Sequence, residues 1–185
     1  MKLPAFSLFC VLGLLFQPAL RAAVPDDFAG LKWGTKPEAA QAAMLAKPGV
    51  ALAPATPEAG AVAGQQILQF TGGTLAGHPA ATWRLRFDES GLIGGAALLT
   101  PGELRPEKLT EAYEQLKKSL NQKYREPGRE ERDRAFHKAT YWKFENSRGQ
   151  YAISCDVNTP GIKLSYSFTP KAGPGGAVRT KKDEL

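Results

Sequence analysis

Ile162-Lys163-Leu164-Ser165-Tyr166-Ser167-Phe168 alternates apolar and polar side chains without a break. Successive side chains of a strand point to opposite faces, so this segment has one apolar face and one wet face. A parallel sheet buries both faces. A strand of this kind belongs instead to an antiparallel sheet covered on one side. Upstream, residues 150–157 carry a similar pattern and join the last strand through the turn Asn158-Thr159-Pro160-Gly161. Residues 140–145 make a third strand.

Ahead of these strands, Leu109, Tyr113, Leu116, Leu120 and Tyr124 recur at helical spacing, with Ala112 beside them. The stripe predicts a helix from Pro106 to about Arg125, stopped by Pro127-Gly128. Glu114 and Lys118 support each other one turn apart. The arginine-rich stretch 129–134 reads as a solvated loop or a frayed extension of that helix.

The first half has a similar layout. Residues 66–70, 81–87 and 92–99 read as strands, and Asp88-Glu89-Ser90-Gly91 turns between the last two. Trp83, Leu85 and Phe87 share one face of their strand, and Arg84 and Arg86 share the other. Residues 47–64, rich in Ala, Pro and Gly, read as a loop with a short edge strand near Val50–Leu52. Before them, Thr35 and Glu38 form a capping box with Pro37 in the first turn. The helix they open runs to about Ala46, with Ala39, Ala40, Ala43 and Met44 as its inner stripe.

Ala81-Thr82-Trp83, Phe87-Asp88 and Gly91 are answered by Ala139-Thr140-Tyr141, Phe144-Glu145 and Gly149. Thr100-Pro101-Gly102 is answered by Thr159-Pro160-Gly161, and the offset between partners stays nearly constant throughout. The expected fold class is therefore α+β, an antiparallel sheet with two helices packed on one face. Its halves read as a duplicated helix-plus-three-strand unit, unless hairpin turns are simply reusing the same residues.

The ends speak of location. Lys2, an apolar run from Ala5 to Phe16 and the small pair Ala22-Ala23 have the order of a secretory signal peptide, cut after Ala22. The run is well short of the roughly twenty residues that span a bilayer, so no membrane span is expected. Phe9 stands where a lipobox needs a small residue, which leaves Cys10 as part of the apolar run. The expected organisation is signal peptide 1–22, one domain 23–170 and a disordered basic tail 171–185. The location is periplasmic or secreted. The terminal Lys182-Asp183-Glu184-Leu185 matches an endoplasmic-reticulum return signal, giving a luminal alternative if the source is eukaryotic.

Of the formal charge of +6, Lys2 and Arg21 contribute two. The remaining excess is interrupted by Glu126, Glu130, Glu131 and Asp133, a mixture typical of a solvated surface rather than a nucleic-acid face. Cys155, the one cysteine left after cleavage, shares the apolar face of its strand and reads as a buried thiol. His78 and His137 stand apart from other ligating residues, so no metal and no cofactor is expected. There is no Gly-x-Ser-x-Gly elbow or Cys/His pair. Gly72-Gly73 and Gly94-Gly95 sit at or within strands, where bulges and tight turns account for them better than a phosphate cradle. Trp83 and Trp142 read as core. Trp33, His78, Arg84 and Arg86 are the candidates for a ligand or partner surface.

Phe28-x-Gly30-x-x-Trp33-Gly34, followed by Thr35-x-x-Glu38, resembles the mature start of small exported bacterial proteins of uncharacterised function. The resemblance covers the lead-in and the first helix, and it implies a small α+β domain in the bacterial envelope, with no catalytic residues to carry over. The functional expectation is a non-catalytic binding or accessory protein acting on another envelope protein or polymer. The alternative is an envelope-polymer hydrolase, which would need a deep pocket gathering groups such as His78 or Glu145.

Overall fold

The computed structural model describes residues 23–54, 64–100, 105–134, 137–158 and 161–171. The expected signal peptide, the tail beyond 171 and Pro101-Gly102 lie outside them. The chain opens with a small hairpin, β1 (Asp27–Phe28) and β2 (Leu31–Lys32), then helix α1 (Pro37–Leu45). Strands β3 (Val50–Leu52), β4 (Gln66–Gly72), β5 (Thr74–Leu75), β6 (His78–Asp88) and β7 (Gly91–Leu99) follow. Helix α2 (Pro106–Tyr124) leads to β8 (Arg129–Arg134), β9 (His137–Asn146), β10 (Gly149–Asn158) and β11 (Gly161–Pro170).

The main sheet runs β3-β4-β6-β7-β11-β10-β9-β8, and every pairing is antiparallel. Helix α1 packs near β3 and β4, and α2 against β10 and β11. One continuous core, which includes Met44 of α1 and Leu116 of α2, lies between the helices and the sheet. The α+β class with both helices on one face is thus the observed architecture.

The repeat differs from the sequence reading in register. The strand path has a twofold pattern at the level of topology: the last strands of the two halves, β7 and β11, meet at the centre. Reading outward, β6 answers β10, β4 answers β9 and β3 answers β8. The offset between the helix starts Pro37 and Pro106 and that between the strand starts Gly91 and Gly161 differ by a single residue, and both are longer than that of the sequence similarities. Each half is a helix plus four main strands, not three. The similarities in sequence match β6 with β9, one strand out of step, because hairpin turns reuse similar residues. The missing strand is β8: the Arg/Glu stretch forms an edge strand, where charge discourages further pairing.

Helix α2 buries Leu109, Ala112, Tyr113, Leu116, Leu120 and Tyr124, its whole predicted stripe. Arg125 closes it with a left-handed φ of 54°. The Asn121 side-chain oxygen then accepts from the Gly128 N–H at 3.0 Å and the Trp142 indole at 2.9 Å. Helix α1 starts at Pro37 without a side-chain cap. The expected Thr35–Glu38 capping box does not form, because Thr35 Oγ1 donates to the Lys32 carbonyl at 2.7 Å and tightens the turn before the helix.

The Phe-x-Gly-x-x-Trp-Gly segment is a plug for the core. Ala29 (φ 53°) and Gly30 (φ 84°) turn the β1–β2 hairpin with both central residues left-handed. That turn drives Phe28 between Trp83, at 6.2 Å and near edge-on, and Tyr166, at 5.4 Å. Gly95 makes room for it, since a Cβ there would stand 2.1 Å from the Phe28 ring. Close approach, not a bulge or a turn, explains this glycine.

Cys155 is fully buried on β10. Burial, assisted by the Asp156 and Glu114 carboxylates, pushes its thiol from 9.0 up to about 12. Burial likewise raises the Tyr166 phenol. In both cases the unfolded chain loses its proton first as pH rises. The stability these groups contribute is intact below pH 9, and the Cys155 share declines from there toward pH 12 at up to about 1.4 kcal/mol per pH unit. Cys155 is expected to resist an aromatic disulfide reagent at pH 8 in native buffer and to react fully in guanidinium. Rapid native labelling would contradict this burial.

Candidate functional site

Arg84 and Arg86 alternate on β6 with Trp83, Leu85 and Phe87, which are all buried. The core therefore takes the odd positions, and the arginines stand on the face without helices. The sheet register carries that face across six strands. One row runs Gln69, Arg84, Ala96, Ser165, Ser154, Tyr141. The next runs Ile67, Arg86, Gly94, Ser167, Ala152, Lys143. A third crosses Thr71, Thr82, Leu98, Lys163 and Asp156.

In the first two rows the central strands contribute only Gly94, Ala96, Ala152, Ser154, Ser165 and Ser167. Small side chains between longer ones leave a trough. A hollow of about 430 Å³ is lined by most of these residues together with Arg84, Arg86, Tyr141 and Lys163. A second hollow of about 530 Å³ continues along β9–β11, sharing Ala152 and Ser167 and adding Lys143 and Glu145.

Local contacts shape the trough. The Arg86 guanidinium lies over Gly94, where a Cβ would come within 2.8 Å of Nη2. Asp156 accepts from Ser154 Oγ at 2.9 Å and from the Tyr141 hydroxyl at 3.5 Å. On the described strands, the cations Arg84, Arg86, Arg129, Lys143 and Lys163 share this face with the carboxylates Asp88, Asp156 and Glu145. The arrangement is cationic and rich in hydroxyls, suited to recognising negative charge with hydrogen-bond support.

Among the predicted surface residues, Arg84 and Arg86 come together and the other two stand elsewhere. Trp33 is 6 % exposed, stacks on Phe168 at 5.9 Å and donates its indole N–H to the Pro25 carbonyl at 2.6 Å. It belongs to the core plug because its hairpin folds inward, so it is corrected from ligand surface to packing. His78 opens β6 opposite Leu75, outside the trough lining. Glu145 stands on β9, with β7, β11 and β10 between it and β6, so His78 and Glu145 are not gathered into one pocket.

The sequence reading missed Lys143, Ser154 and Asp156 as site residues. Lys163, Ser165 and Ser167 were legible as a wet face but not as neighbours of the arginines. Among the described residues no three His, Cys, Asp or Glu side chains are grouped to hold a metal ion, and no helix is long and apolar enough to cross a membrane. No family model, curated protein or solved structure matches the chain, so its own residues carry the functional argument.

Proposed function

We propose that the chain is an exported, non-catalytic binding or accessory module of the bacterial cell envelope, with the open sheet face as its binding surface. The observation that carries the reading is the trough: Arg84, Arg86 and Lys163 border a floor of residues too small to fill it. Export rests on the charged, apolar and small order of residues 1–23. A fold that covers one sheet face with two helices and leaves the other concave and cationic supports recognition of an anionic partner.

The test places a photo-crosslinking amino acid at Ser165, in the trough, or at exposed Lys118, on the outer side of α2. Irradiation of producing cells is expected to give a discrete adduct from Ser165 and none from Lys118. The Arg84→Glu/Arg86→Glu double variant should abolish that adduct. No adduct at Ser165, or equal adducts from both positions, would overturn the reading.

A further inference from the structure

The anionic partner can be specified further, on the basis of the open-face reading above. We infer that the trough receives an extended polypeptide segment whose acidic side chains fall on alternate residues.

Arg84 and Arg86 sit two positions apart on the same face of β6. Strand geometry separates their Cα atoms by about 7 Å. An extended acidic segment laid along β6 presents carboxylates at that same period, because its side chains also alternate. Each guanidinium can then meet one carboxylate, and the bidentate geometry of arginine suits that pairing. The Arg86 guanidinium is seated by contact with the backbone at Gly94, so less of its freedom is lost on binding.

The floor leaves room for the side chains of a bound segment. Ala96, Ser165 and Ser154 run across the trough beside Arg84, each offering a methyl or a hydroxyl. The hydroxyls can hydrogen-bond side chains that a segment along β6 extends across the floor. Lys163, two strands away on β11 and paired in register with Asp156 at the next row, adds a third cation at the end of the floor.

Fluorescence polarisation of the full chain with two labelled peptides tests the inference. One is an octamer alternating Glu and Ser. The other has the same composition with its Glu side chains contiguous. The alternating peptide is expected to bind at least about tenfold tighter, the discrimination that one well-placed charge-assisted pair supplies. Arg84→Glu/Arg86→Glu should weaken it by a further factor of at least about ten, and Lys118→Glu should leave it unchanged. Ser165→Tyr, which fills the floor without altering charge, should also weaken it, so the result does not depend on one variant.

Equal binding of the two peptides, or insensitivity to both trough variants, would overturn the proposal. Tighter binding of polygalacturonate than of either peptide would also overturn it, in favour of an acidic polysaccharide. If both peptides fail while the Ser165 adduct persists in cells, the binding face stands and the acidic-segment assignment falls.

Discussion

Gly95→Ala is expected to destabilise the fold by about 2–3 kcal/mol, although it adds only a methyl group to a strand. The Phe28 ring occupies the place of that methyl, with ring carbons 2.1 and 2.5 Å from it. The ring cannot simply step aside, because Trp83 and Tyr166 hold it from two directions. Relief requires the whole β1–β2 hairpin to lift from the sheet. The expected loss in melting temperature is on the order of 10 °C. The pairing Phe28→Leu with Gly95→Ala should recover part of the loss, and a double-mutant cycle would measure the coupling. A melting temperature unchanged by Gly95→Ala would mean that Phe28 does not seat there in solution.

Trp83→Ala is expected to cost more, about 3–5 kcal/mol. Its side chain is 1 % exposed, and its indole N–H donates to the Gly72 carbonyl at 2.8 Å. Truncation leaves both a cavity and a carbonyl without its indole donor. Set against a typical domain stability of about 5–15 kcal/mol, the loss brings the chain close to unfolding at body temperature. The next residue should behave in the opposite way. Arg84→Ala is expected to change denaturant stability by less than about 1 kcal/mol while removing binding in the trough. Urea melts of the two variants side by side separate the core face of β6 from its binding face. Equal destabilisation would merge them.

The sequence declares much of the fold because period-2 and period-3.6 patterns are local. The last strand shows its two faces by itself, and the stripe from Leu109 to Tyr124 needs no tertiary context. Where charge overrides pattern, the reading fails: 129–134 has no apolar alternation, yet it pairs with β9 as an edge strand. The capping box fails for a different reason, since Thr35 has a nearer acceptor in the Lys32 carbonyl.

The candidate site was half legible. Alternation puts Arg84 and Arg86 on one wet face, and Lys163, Ser165 and Ser167 on another. Nothing in either segment says that these are one face. That follows from the pairing of β7 with β11, strands far apart in the chain with the whole of α2 between them. Trp33 was misjudged because a short segment lacks periodicity, and only the left-handed hairpin at Ala29-Gly30 reveals which way it turns.

The central position of β11 also has a consequence in time. It is the last described strand in chain order, yet β7 and β10 lie on either side of it. A chain emerging from its N-terminus first can assemble each flank, but the seam stays open until Gly161–Pro170 has appeared. Until then two strand edges face each other unpaired, and the arginines have only Gly94 and Ala96 of the floor beside them. Under the export proposed above, late closure means that the sheet cannot lock before Gly161–Pro170 is through the membrane. Completion of the fold and creation of the trough are then the same event.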